Sequence, residues 1–101
     1  LAEARAINQL LGQDDELPTI LAGDMNAVPD SEPIRLLLKR WSNTARDPAA
    51  PTSPSQNPKS RIDYIFYRPA SALRVTHSEV LAESVASDHR PVLTVFELPA
   101  R

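Results

Sequence analysis

Three short stretches carry the side chains able to do chemistry. In Leu21-Ala22-Gly23-Asp24-Met25-Asn26 an apolar run ends in a carboxylate and an amide two residues apart. If residues 19–26 are extended, a period of two sets Asp24 and Asn26 on one face and turns Met25 away. Such a pair makes a polar rim at the carboxyl end of a buried strand, where open α/β sheets bind ligands. The plainer alternative is a strand that stops in a polar turn, with both side chains bonding nearby backbone. Asp63 is the one charged residue in residues 62–67. An isolated buried carboxylate is too costly to keep, so Asp63 needs a partner, for which Arg61 and Lys59 are candidates. Ser87-Asp88-His89 stands just before Pro91 and, taken alone, reads as a turn leading into a strand. The chain has no cysteine, which removes disulfides and thiolate zinc sites. Any metal must sit on oxygen or on one of the two histidines, which favours Mg²⁺, Mn²⁺ or Ca²⁺.

The elements that must position these groups follow from periodicity. Residues 1–11 put Ala4, Ile7, Leu10 and Leu11 on one helical face, with Glu3, Arg5, Asn8 and Gln9 mainly elsewhere, and Gly12 is a natural stop. Residues 13–16 turn the chain, and Pro18 sits at the start of a strand, where its missing N–H does least harm. Residues 27–33 read as a loop feeding a helix, with Asp30 or Ser31 as N-cap and Pro33 in the first turn. Ile34, Leu37, Leu38 and Trp41 then fall at i, i+3, i+4 and i+7, a stripe that makes Trp41 a core residue rather than a base-stacking platform.

Residues 47–60 hold Pro48, Pro51, Pro54 and Pro58, and regular structure is not expected there. Such a loop is either one wall of a substrate cleft, by its place before the next strand, or a disordered surface loop. Residues 62–67 are a strand by composition. Residues 73–81 are another, with Leu73, Val75 and His77 on one face, Arg74, Thr76 and Ser78 on the other, and a slip near Glu79 and Val80. His77 in this half-exposed pattern is structural. Pro91 opens a last strand over residues 92–98.

One hundred and one residues, 42% of them apolar, suit one compact domain. With 11 basic and 13 acidic residues the net charge is -2, so no overall basic field is available to hold a nucleic acid, and aromatics for base stacking are scarce. No apolar run approaches the roughly 18 residues of a membrane span, and no signal peptide opens the chain. Leu1 falls inside the helical pattern and no Met precedes it, so the sequence reads as a piece of something longer.

Gly23-Asp24-Met25-Asn26, Arg61-Ile62-Asp63-Tyr64-Ile65-Phe66 and Ser87-Asp88-His89-Arg90-Pro91-Val92, in that order and at these separations, resemble the endonuclease/exonuclease/phosphatase superfamily. This DNase I-like family includes apurinic endonucleases, inositol polyphosphate 5-phosphatases and neutral sphingomyelinases. The resemblance runs from the first helix to about Leu98. It implies an α/β fold: the C-terminal half of a DNase I-like sandwich, one mostly antiparallel or mixed sheet with two flanking helices, spanning residues 1–101. It also implies a metal-dependent phosphoesterase acting on a phosphate-ester substrate. Such hydrolysis needs an activated water, a cation to offset charge on the phosphoryl oxygens, and donors to hold those oxygens.

By the same resemblance Asp24 would orient or deprotonate the water, and Asn26 would donate to the phosphoryl group or to that water. His89 would contact the scissile phosphate, and Asp63 would accept a bond from its ring. Asp88 would contribute to a Mg²⁺ site, directly or through water, with Mn²⁺ or Ca²⁺ as substitutes. The Asp63–His89 pairing would supply the partner Asp63 lacks, raise the histidine pKa and favour imidazolium.

The family's amino-terminal half, with its Asn, its metal-binding Glu and its further His or Tyr, has no counterpart here. The isolated chain is therefore expected to self-associate through its exposed sheet or to need that half, and to be inactive alone. A reading from another class is a non-catalytic interaction module that keeps the fold, against which all five expected side chains stand. A nucleic-acid-binding domain is disfavoured by the acidic balance.

Overall fold

The computed structural model describes residues 2–13 and 16–99; Leu1 of the expected helix and Asp14 and Asp15 of the expected turn lie outside the described residues. The order of elements is α1 (Ala2–Leu11), β1 (Thr19–Asp24), α2 (Glu32–Leu37), β2 (Ser42–Asn43), β3 (Asp63–Arg68), β4 (Arg74–Val80) and β5 (Val92–Glu97). The first three strands form an antiparallel sheet in the order β1-β3-β2, and β4 pairs with β5 in an antiparallel two-stranded sheet. The strands thus fall into two hydrogen-bonded groups rather than one continuous sheet. Side chains join them: the Tyr67 and Phe96 rings meet edge to face at 5.5 Å, and Thr44 Oγ1 lies 2.9 Å from Thr94 Oγ1.

β3 alternates strictly, so Tyr64, Phe66 and Arg68 are buried while Asp63, Ile65 and Tyr67 face the other way. On the buried side α1 and α2 close the core, in which Ala4, Ile34, Leu37, Trp41, Tyr64 and Phe66 pack together. Each large side chain so enclosed contributes about 1.5–3 kcal/mol. The opposite face is poorly covered. β1, expected to be buried, leaves Ile20 and Ala22 exposed, because it is an edge strand whose second face meets no layer.

The helices depart from the amphipathic stripes in two places. Asn8, assigned by periodicity to the polar side of α1, is buried, while Leu10 and Leu11 are exposed. Asn8 is inside because both ends of its amide are matched: Nδ2 donates to the Leu36 carbonyl at 2.8 Å, and Oδ1 accepts Trp41 Nε1–H at 3.0 Å. Gly12 follows α1 as expected, and its reason is space: a Cβ there would stand 2.7 Å from the Asn8 carbonyl oxygen.

α2 ends at Leu37, a turn earlier than the stripe implies. Trp41 reaches the core from the following turn, where its N–H donates to the Leu37 carbonyl at 2.9 Å, and Leu38 turns outward. Ser31 is the N-cap residue, yet its hydroxyl bonds back to the Val28 carbonyl at 2.6 Å instead of capping the helix.

The bulge in β4 lies between Val75 and His77, not near Glu79 and Val80. Thr76 is the extra residue, so Val75, Ser78 and Val80 share the half-buried side and His77 points out, 3.4 Å from Glu79.

Candidate active site

The register of the central sheet sets the site. Asp24, the last residue of β1, pairs with Asp63, the first of β3. Facing residues on paired strands project to one side, so both carboxylates emerge at the same end of the face that the helices leave open. Extension stops there: Asn26 adopts φ 47, and its N–H donates to Asp24 Oδ1 at 2.7 Å. This is the polar turn that the sequence offered as the plainer alternative, and the period-of-two alignment of Asp24 with Asn26 does not hold past Asp24. The turn does not remove Asp24 from the site, because it engages only Oδ1 and leaves the carboxylate exposed.

The loop before β5 brings the imidazole. His89 Nδ1 lies 2.8 Å from Asp63 Oδ2, with the two side chains 30% and 17% exposed. One ligand-type atom from each of Asp24, Asp63 and His89 lies within 4.8 Å of the others. The hydrogen bond to Asp63 is the main force holding the His89 pKa above its ordinary value. Loss of hydration opposes it, and the charges of Asp63, Asp24 and Asp88 reinforce it. With Nδ1 engaged, Nε2 is the ring atom left to meet a ligand.

Asp63 does not use the basic partners its neighbourhood offered. Arg61 Nε donates to the main-chain carbonyl of Asp63 at 2.8 Å, and Nη1 donates to the Ala50 carbonyl at 3.2 Å, so this buried guanidinium braces the backbone. Burial pulls its pKa down. The carboxylate is instead held by Thr52, whose hydroxyl donates to Asp63 Oδ2 at 2.7 Å and is itself approached by the N–H groups of Ile62 at 3.2 Å and Asp63 at 3.3 Å. Thr52 is fully buried. Sequence reasoning missed it, although the need of Asp63 for a donor was the signal that could have found it.

The Pro-rich segment is the scaffold for this contact. Ser53 and Ser60 form an isolated bridge, Arg90 N–H donates to the Thr52 carbonyl at 2.7 Å, and Arg90 Nε donates to the Ser55 carbonyl at 2.8 Å. Of the two readings of residues 47–60, the wall of a cleft describes this strap. Tyr64 ties the other side, its hydroxyl 2.6 Å from the Ala27 carbonyl and 3.0 Å from that of Arg61. Burial pushes its pKa up to about 12, with the Arg61 charge opposing.

Asp24, Asp63 and His89 are therefore brought together, and Asn26 and Asp88 adjoin them. Asn26 lines, with Met25 and Ala27, a hollow beside the helices. Asp88 is exposed beside His89, where its charge helps raise the imidazole pKa, and its carbonyl accepts Ser55 N–H. His77 stands apart on β4. For a cation the donor chemistry is divided: Asp63 Oδ2 is already shared by Thr52 and His89, while the exposed carboxylates of Asp24 and Asp88 are oxygen donors suited to a hard divalent ion.

The sequence model of the Endonuclease/Exonuclease/phosphatase family matches residues 2–89. No curated protein matches the chain. Solved structures do. A functionally unknown conserved protein from Enterococcus faecalis V583 superposes with a TM-score of 0.72 at 23% identity, over 93% of this chain and 42% of that one. An endonuclease/exonuclease/phosphatase from Bacteroides vulgatus gives 0.70 at 23% identity, over 97% and 42%. A mannosyl-6-phosphatase from Bacteroides thetaiotaomicron VPI-5482 gives 0.70 at 23% identity, over 96% and 43%. The chain spans less than half the length of these structures, and the likeness establishes the α/β fold.

Proposed function

Because this chain belongs to the endonuclease/exonuclease/phosphatase family, whose members are generally hydrolases, we propose that it forms part of the active site of a Mg²⁺-dependent phosphoesterase, as the C-terminal half of a longer catalytic domain. The observation that carries this reading is the convergence of Asp24, Asp63 and His89 at one end of the sheet, with the imidazole fixed by a carboxylate at 2.8 Å. The solved relative described as a mannosyl-6-phosphatase supports phosphoester chemistry.

In this reading Asp24 orients the attacking water and draws its proton, and Asn26 donates its side-chain amide to a phosphoryl oxygen or to that water. His89, with Nδ1 on Asp63, offers Nε2 to the phosphate; as imidazolium it donates a hydrogen bond to an oxygen on which charge accumulates. Asp63 and Thr52 fix the ring. Asp88 would contribute to a cation site, directly or through water, for Mg²⁺ with Mn²⁺ or Ca²⁺ as substitutes, and the ion would offset charge on the phosphoryl oxygens. The water oxygen bonds to phosphorus, the ester P–O bond breaks, and the departing oxygen takes a proton from solvent water while the proton drawn by Asp24 returns to solvent.

The test compares this chain with a longer one carrying its upstream segment, on bis(p-nitrophenyl) phosphate and p-nitrophenyl phosphate with Mg²⁺. Negligible turnover is expected from residues 1–101 alone and measurable turnover from the longer chain. His89→Ala should lower it about 10²–10⁴-fold. A longer chain inert on both esters, or as active with His89→Ala as without it, overturns the proposal.

A further inference from the structure

The segment that opens β3 is tied to each part of the site in turn. The Ile62 carbonyl accepts Met25 N–H at 2.9 Å, beside the turn that ends β1. Tyr64 reaches the Ala27 carbonyl, and the Asp63 carboxylate meets Thr52 and His89. Arg61 supplies a further tie from inside the fold, where it is 2% exposed. One guanidinium holds the Asp63 carbonyl through Nε and the Ala50 carbonyl through Nη1. The first carbonyl belongs to the residue that carries the carboxylate, and the second lies two residues ahead of Thr52.

The strap has other supports, and they act elsewhere. The Ser53–Ser60 bridge closes it on itself, and Arg90 N–H joins the Thr52 carbonyl to the loop before β5. Arg61 instead spans from the entry of the strap to Asp63, and its donors lie in one plane at fixed separation, so it works as a rigid spacer. The Tyr64 ring steadies that plane, with Arg61 Cζ 5.8 Å from its centroid. The arrangement costs the fold something. Burial pulls the Arg61 pKa down against Tyr64, Asp63 and Asp47, and Nη2 has no hydrogen-bond partner among the described residues. A desolvated cation and an unmatched buried donor both lower stability. Packing alone does not account for an arginine here; the two carbonyls it joins do.

We infer that Arg61 is a positioning residue of the site: by spanning the Ala50 and Asp63 carbonyls it holds Thr52 against Asp63 Oδ2 and, through that oxygen, sets the direction of the His89 ring. Its effect on turnover rests on the phosphoesterase reading above; its effect on the ring does not.

The experiment compares the parent with Arg61→Lys, which keeps the charge but not the fork, and with Arg61→Gln, a neutral donor that buries no ammonium. In residues 1–101, proton–nitrogen NMR of the His89 ring, assigned by its loss in His89→Gln, should show Nδ1 as a hydrogen-bonded donor. Both Arg61 variants should move the ring nitrogens toward their positions in Asp63→Asn. In the longer chain, with Mg²⁺ and bis(p-nitrophenyl) phosphate, both should lower kcat about 10–10²-fold with little change in KM, the scale of a small displacement at a catalytic group. Placed on Thr52→Val they should lower kcat far less, because the contact through which Arg61 acts is already gone. Losses that multiply instead, variants that melt lower but keep the His89 signals and kcat, or variants that do not fold make Arg61 a structural brace and overturn the assignment. A longer chain inert on every ester overturns the phosphoesterase reading, and the His89 signals in residues 1–101 then decide the role of Arg61 by themselves.

Discussion

Asp24 and Asp63 face each other as the terminal pair of the β1–β3 ladder, two carboxylates on one side of one sheet. Like charges directly opposite each other destabilise a sheet. Their surroundings separate their duties: Asp24 is exposed and accepts the Asn26 N–H, while Asp63 is mostly covered and bonded to Thr52 and His89. Asp24→Asn removes one charge of the pair and the group proposed to act on water. The melting temperature should hold or rise while phosphoesterase turnover of the longer chain is lost. A variant that melts lower and keeps its turnover would contradict that division.

The Asp63–His89 bond makes stability depend on pH with a definite sign. The folded imidazole titrates above its unfolded value. Its contribution is therefore complete at pH below the ordinary imidazole pKa and is lost as pH rises through the raised one. The gap in urea midpoint between the parent and His89→Gln should be wider at about pH 6 than at about pH 9. Proton NMR should place the His89 midpoint above the ordinary imidazole range, and Asp63→Asn should bring it down. A His89 midpoint at or below that range refutes the pairing.

Thr52→Val keeps the shape and deletes the hydroxyl that donates to Asp63 Oδ2, the oxygen that His89 Nδ1 also meets. An unsatisfied buried partner costs about 1–3 kcal/mol. Urea unfolding should register this, while Thr52→Ser should restore most of it. In the longer chain kcat should fall with little change in KM, since Thr52 acts through Asp63 and touches no substrate.

What the sequence disclosed and what it hid divide along physical lines. Strand alternation located Asp63 with Tyr64 and Phe66 turned inward, because a period of two survives whatever packs on it. The grouping of Asp24, Asp63 and His89 was legible through the linked motifs. Thr52 was not, since a proline-rich loop has no period and its direction is set by contacts with residues 84–90. Asn8 and Leu38 broke the helical stripes for a related reason: helix faces are decided by what they meet, and a matched amide displaced an apolar side chain from the interior.

Asn8 tests that explanation. It is the hinge between α1, the Leu36 carbonyl and the Trp41 indole. Asn8→Ala leaves two buried polar groups without partners and should lower stability by about 1–3 kcal/mol per group at most. Asn8→Leu, which strengthens the apolar stripe as sequence periodicity would recommend, should be no better. Guanidinium unfolding followed by Trp41 fluorescence reads both. A stabilised Asn8→Leu would show that the amide is dispensable.

The helices cover one face of the β1-β3-β2 sheet, and the other leaves Ile20 half exposed; on β5, Leu93 and Val95 are also outward. Exposed apolar sheet surface seeks a cover, and an uncovered edge strand adds unpaired backbone groups to the same hazard. The proposed upstream half would supply that cover within a longer chain; alone, residues 1–101 have only further copies of themselves. Sedimentation velocity should therefore show mass rising with concentration. Ile20→Lys with Val95→Lys should reduce it, with little loss of fold because neither side chain belongs to the core cluster. Appending the upstream segment should abolish it without either substitution. A monodisperse monomer that melts in one cooperative transition would mean that this face is stable in water, and that the chain needs no second half to fold.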